Sequence, residues 1–201
     1  MKPLELLGPT LLMAAFVVTP VYSKRLGIRV LAAICGAATT FLPAGPTTLG
    51  ECFLGTFGPV SAASLVIVAG YLHAIIIGAT YRTSRAMLLC LAVVGLVFYP
   101  LTFGLSDFDP YDLGYRGLTI PALMLAFVLV GWITKSVDIL CWIFLAALLY
   151  ALGSYDSNNL WDYLIFPTDS IYAVGALVIT LSARIGRPTK TQDQPLMNSK
   201  N

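Results

Sequence analysis

Long apolar runs, cut at intervals by charges and turn residues, dominate the pattern of this chain. A helix crosses the hydrocarbon core of a bilayer in about 20 residues. Dividing the chain at its interruptions leaves seven runs near that length, at residues 6–22, 26–42, 60–80, 86–104, 117–134, 137–153 and 167–183. Two of the cuts need a reason. Taken as one helix, 117–153 would be about 55 Å long at about 1.5 Å per residue, so it is read as a hairpin turning at Thr134, Lys135 and Ser136. The first 42 residues divide in the same way at Ser23, Lys24 and Arg25. The pattern predicts an all-α integral membrane protein, a compact bundle of about seven transmembrane helices over residues 1–183. Residues 184–201 are polar, proline-containing and unpatterned, and are expected to form a disordered cytoplasmic tail.

Charge sets the direction of the bundle. One set of alternate connections carries Lys24 and Arg25, then Arg82 and Arg85, then Lys135, then Arg184, Arg187, Lys190 and Lys200. The other carries Lys2 with Glu5, then Glu51, then Asp107, Asp109 and Asp112 with Arg116, then Asp156 and Asp162. Cytoplasmic loops are enriched in Lys and Arg, so the N-terminus is expected outside and the C-terminus in the cytoplasm. A six-helix division would break the alternation. Short connections point to a bacterial inner (plasma) membrane, with an organellar membrane left open. A cleaved signal peptide is the alternative for the first run. Its single early lysine is offset by Glu5, and cleavage after "VYS" would leave Lys24, Arg25 and Arg29 on the translocated side, so a retained helix is expected.

Composition agrees with this picture. Hydrophobic residues make up 58% of the chain and charged residues 11%, with a mean hydropathy of +0.83, whereas soluble domains carry about 25% charged residues. A net charge of +2, scattered in short clusters, gives no nucleic-acid footprint. The expected partners are the lipid bilayer and other membrane proteins. Cys35, Cys90 and Cys141 fall inside apolar runs and Cys52 in a loop, without CxxC or Cys/His spacing. The first three are expected to pack as small hydrophobes, and no metal site is expected among the four.

Lipid tails are as apolar as leucine, so small residues that let backbones approach matter for helix packing. Gly70, Ala74 and Gly78 recur every four residues on the third run, and Ala32, Gly36 and Thr40 on the second. Each set is expected to meet a neighbouring helix, with Gly78→Leu as the probe. No inverted repeat of the transporter kind is visible.

The polar candidates are few. His73 is the one histidine and lies inside a run, a candidate for a proton or ligand role or for a simple interhelical hydrogen bond. Asp107, Asp109 and Asp112 of "SDFDPYDLGYR" supply hard oxygen ligands, yet lack the glycine and glutamate of the twelve-residue calcium loop. A solvated turn, with Tyr111 and Tyr115 at the interface, is the alternative. Arg29 is expected to snorkel to the headgroups, and Lys135 and Asp138 to form a local ion pair. Asp169, after Pro167, suits a helix N-terminus and could join Asp156 and Asp162.

GxSxG, HExxH, P-loop and Rossmann motifs are missing, and one histidine is too few for multi-histidine metal or haem sites. No catalytic residue, metal or cofactor is therefore assigned. The expected function is a non-enzymatic accessory or scaffold subunit of an envelope assembly. The alternatives are a small transporter using His73 and the outer acids, or an enzyme acting through the outer aspartates on a lipid-linked or periplasmic substrate.

Overall fold

Wherever the chain runs apolar it is helical. The computed structural model describes residues 2–115 and 117–185. Its elements are α1 (Leu7–Val18), α2 (Leu26–Thr39), β1 (Pro43–Ala44), β2 (Thr47–Thr48), α3 (Leu49–Phe57), α4 (Ala62–Ile77), α5 (Arg85–Pro100), α6 (Thr119–Ile133), α7 (Val137–Ala151), α8 (Trp161–Leu164) and α9 (Pro167–Ile185). The class is all-α, with one minimal hairpin pairing Pro43 to Thr48 and Ala44 to Thr47. α9 runs past residue 183, and the rest of the expected tail, 186–201, lies outside the described residues, as does Arg116.

Local chemistry places the ends. Ser61 and Ser84 cap α4 and α5 by accepting from the amides of Ser64 and Met87, each at 3.1 Å. Thr48 and Glu51 form a reciprocal capping box at the start of α3. Gly78 closes α4 at φ +78°, a conformation that side chains with a Cβ resist. Pro100 cannot donate to the helix ladder, and α5 gives way there to a π-helical turn over Leu101–Leu105.

Alternate connections collect at opposite ends. At one end, Lys2 Nζ donates to the Tyr155 carbonyl at 2.8 Å and pairs with Asp156 at 3.2 Å, while the Tyr155 hydroxyl donates to the Val60 carbonyl at 2.6 Å. At the other, Ser84 bonds Ser136 and Asp138. The first end carries Glu5, Glu51 and the aspartates of 107–112 and 156–162; the second carries Lys24, Arg25, Arg29, Arg82, Arg85 and Lys135. We call them the acidic and the basic end.

Packing runs α2 to α1 to α4 to α7 to α6, with α9 against α5 and α5 against α7. The two small-residue stripes meet different partners. A Cβ on Gly36 would stand 2.6 Å from the Met13 carbonyl oxygen, so α1 and α2 touch backbone to backbone there. Ala32 packs beside Val18 and Ala33, and Ala74 is buried. Gly70 instead faces the Tyr81 ring, and Gly78 faces the guanidinium of Arg29 from α2, so this second stripe receives a returning loop and a helix side chain rather than a helix backbone.

The interior holds Ala62, Ala63, Met87, Leu91, Ile139, Trp142 and Ala146, with the hydroxyls of Thr40, Ser61 and Ser136 among the buried polar groups. The outside of the helices is as apolar as the inside: Phe16 is 79% exposed, Trp132 76%, Phe144 70% and Ile179 72%. Cys35 and Cys141, expected to be packed inside, are exposed because they fall on these outer faces. Two helical stretches, Pro3–Val21 and Arg85–Leu105, are long and apolar enough to cross a membrane, at 19 and 21 residues. The apolar parts of the other helices that coincide with apolar runs are shorter, 10–17 residues.

Candidate functional site

The acidic-end loops are built from side chains that satisfy one another. Asp109 Oδ1 accepts from the Tyr111 amide at 2.9 Å, a turn closed by its own aspartate. The next residues dock on 155–163: the Tyr111 hydroxyl donates to both carboxylate oxygens of Asp162, at 3.1 and 3.0 Å, and Ser157 also donates to that carboxylate. Asn159 Nδ2 donates to the Tyr111 carbonyl at 2.9 Å, and Trp161 Nε1 to the Pro110 carbonyl at 2.9 Å. Burial, with the hydrogen bonds to Tyr115 and Asp162 behind it, pushes the Tyr111 phenol above its ordinary 10.0. Burial does the same to Tyr155, with Tyr163 next in effect. Asp107 and Asp109 are exposed and Asp112 is half-buried. Among the described residues no three His, Cys, Asp or Glu side chains converge as a metal cage would.

His73 lies far from these acids. It is exposed, and its imidazole makes no hydrogen bond among the described residues. It lines a groove of about 590 Å³ at the basic end, with Tyr81, Arg82, Lys135, Asp138 and Cys141. The Lys135–Asp138 ion pair expected from spacing does not form. Lys135 takes φ +53° as the chain leaves α6, and Asp138 turns instead to the Ser84 amide at 2.7 Å, the Ser84 hydroxyl at 2.8 Å and the Ser136 hydroxyl at 2.6 Å. Arg29 likewise turns inward. Its Nη1 donates to the Ile75 carbonyl at 2.8 Å, where the negative end of α4 attracts a cation.

The polar group that pattern analysis undervalued is Asp169. It stands one turn into α9 and accepts from the Phe166 amide at 2.8 Å, the half capping box expected of an acid at that position. It does not join Asp156 or Asp162. Its side chain is 3% exposed and accepts from the Ser61 hydroxyl at 2.6 Å and from the Ser64 hydroxyl, so α9 is tied to the start of α4. The residues sit 105 and 108 positions apart, and no local spacing announces them.

Asp169 also lines a cleft of about 660 Å³ between α1, α4 and α9. Leu12, Phe16, Ile67 and Val68 supply its apolar walls. A smaller space of about 240 Å³ continues it beneath Phe53 and Phe57 of α3. Comparison with family models, with curated proteins and with solved structures finds no match to the chain.

Proposed function

We propose that the chain is a multi-pass bacterial inner-membrane protein with seven spans, its N-terminus outside and its tail cytoplasmic, serving as a non-enzymatic accessory or scaffold subunit of an envelope assembly. The apolar outer surface, the separated acidic and basic ends and the short connections support the membrane placement. Helices of 14 to 16 residues are about 21–24 Å long and fall short of a core of about 30 Å, a mismatch that local thinning accommodates at modest cost.

The observation that carries the accessory reading is the acidic-end cap. Hydrogen bonds from Asn159 and Trp161 tie its loops to one another, while Leu105 and Phe108 stand exposed on either side of Asp107. Exposed apolar side chains on a fixed frame suit a protein partner. The permease alternative draws on His73 and the outer acids lining one route, but these lie at opposite ends of the bundle. Purification from native membranes in a mild detergent tests the accessory reading. A partner in near-equal amount is expected with the wild type and not with Leu105→Glu/Phe108→Glu. A single unaccompanied species in every mild detergent would contradict it.

A further inference from the structure

We infer that the cleft between α1, α4 and α9 binds an amphiphile drawn from the bilayer, a single apolar chain carrying a protonated amine, with Asp169 as its counter-charge. This goes beyond the accessory role but rests on the membrane placement proposed above. The cleft volume of about 660 Å³ falls within the ~300–1,000 Å³ typical of small-molecule sites. It follows α4 from Ser64 to Tyr71, about 10 Å of helix. That length suits a stretch of alkyl chain. The walls at Leu12, Phe16, Ile67 and Val68 offer such a chain apolar contact, up to the hydroxyls of Thr19 and Tyr71 at its far end.

The head of the occupant is specified by what Asp169 lacks. A carboxylate has about four lone-pair positions, and the hydroxyls of Ser61 and Ser64 and the Phe166 amide occupy three of them. These donors are neutral, so they stabilise the charge without cancelling it. Among the described residues no Lys, Arg or His pairs with Asp169. A charge buried without a counter-charge is costly in a low-dielectric setting, a cost relieved by a proton or by a bound cation. An ammonium supplies the missing donor and the missing charge together. A carboxylate head would be repelled, and an alcohol would supply only the donor. Asp169 is in the first turn of α9, and under the proposed topology this places it towards the outer leaflet, where an amphiphile carries its head.

Full-length protein in phosphatidylcholine nanodiscs, titrated with dodecylamine, dodecanol and laurate against empty nanodiscs, tests the inference. Dodecylamine is expected to saturate one site, with the other two at least about tenfold weaker, as the loss of a charge-assisted hydrogen bond predicts. Asp169→Asn should weaken the amine about tenfold and leave dodecanol unchanged. Val68→Trp fills the wall while leaving the carboxylate in the sequence and should weaken amine and alcohol alike; it decides the matter should Asp169→Asn fail to fold. Equal binding of the three probes, or undiminished amine binding by Val68→Trp, overturns the inference. A protein that inserts with the proposed topology yet binds no dodecylamine overturns the inference alone, whereas one that does not insert overturns the membrane placement.

Discussion

Tyr155 and Tyr111 hold the acidic-end loops through hydroxyls that donate, to the Val60 carbonyl and to Asp162 respectively, so both work only as neutral phenols. Burial raises both above 10.0, the value expected in the unfolded chain. The sign follows directly. Their stabilisation is whole below pH 10 and is lost as the pH rises through the folded values, because ionisation then favours the unfolded state. Detergent-solubilised protein is expected to show tyrosinate absorbance rising in step with a change in Trp161 fluorescence above pH 10. Tyrosines that titrate near their ordinary value with Trp161 undisturbed would contradict this. At this scale, sequence identified the polar residues but not their partners. Asp169 was readable as a helix-start acid, whereas its bonds to Ser61 and Ser64 depend on how α4 and α9 meet. Arg29 and Asp138 diverge from expectation for one reason: each finds fixed partners inside the fold, a carbonyl at the end of α4 or paired serines.

Helix positions were largely open to pattern analysis, since charges and turn residues break the apolar runs where the helices end. α3 was not, because "TLGECFLGTF" is too short to register as a run, although Thr48 and Glu51 already spell a capping box. The π-helical turn after Pro100 was also missed; its proline shows that the ladder must break but not how. The two glycines of α2 differ in what they meet. Gly36 lies on the α1 backbone, while Gly27 has nothing within 4 Å. Gly36→Leu is therefore expected to lower stability in detergent by about 1–3 kcal/mol, and Gly27→Ala to stay within about 0.5 kcal/mol of the wild type. Chemical unfolding monitored by helical circular dichroism measures both. Equal effects of the two changes would mean that α1 and α2 do not pack through Gly36.

Over the whole molecule, the alternation of charge in sequence corresponds to a separation in space. The loops holding Asp107, Asp109, Asp156 and Asp162 interlock at one end, and those holding Arg82, Arg85 and Lys135 gather at the other. Apolar side chains cover the helices between them, an arrangement that is costly in water and ordinary in lipid. The proposed seven-span topology is the claim on which the accessory role and the amine-binding cleft both depend. It is tested most directly with single cysteines at Asp109, Asp156, Lys24 and Lys135, introduced into a cysteine-free background and exposed to a membrane-impermeant maleimide in sealed, right-side-out vesicles. Labelling at 109 and 156, with protection at 24 and 135 until the vesicles are opened, is the predicted result. Labelling of 109 and 135 from the same side would contradict the account.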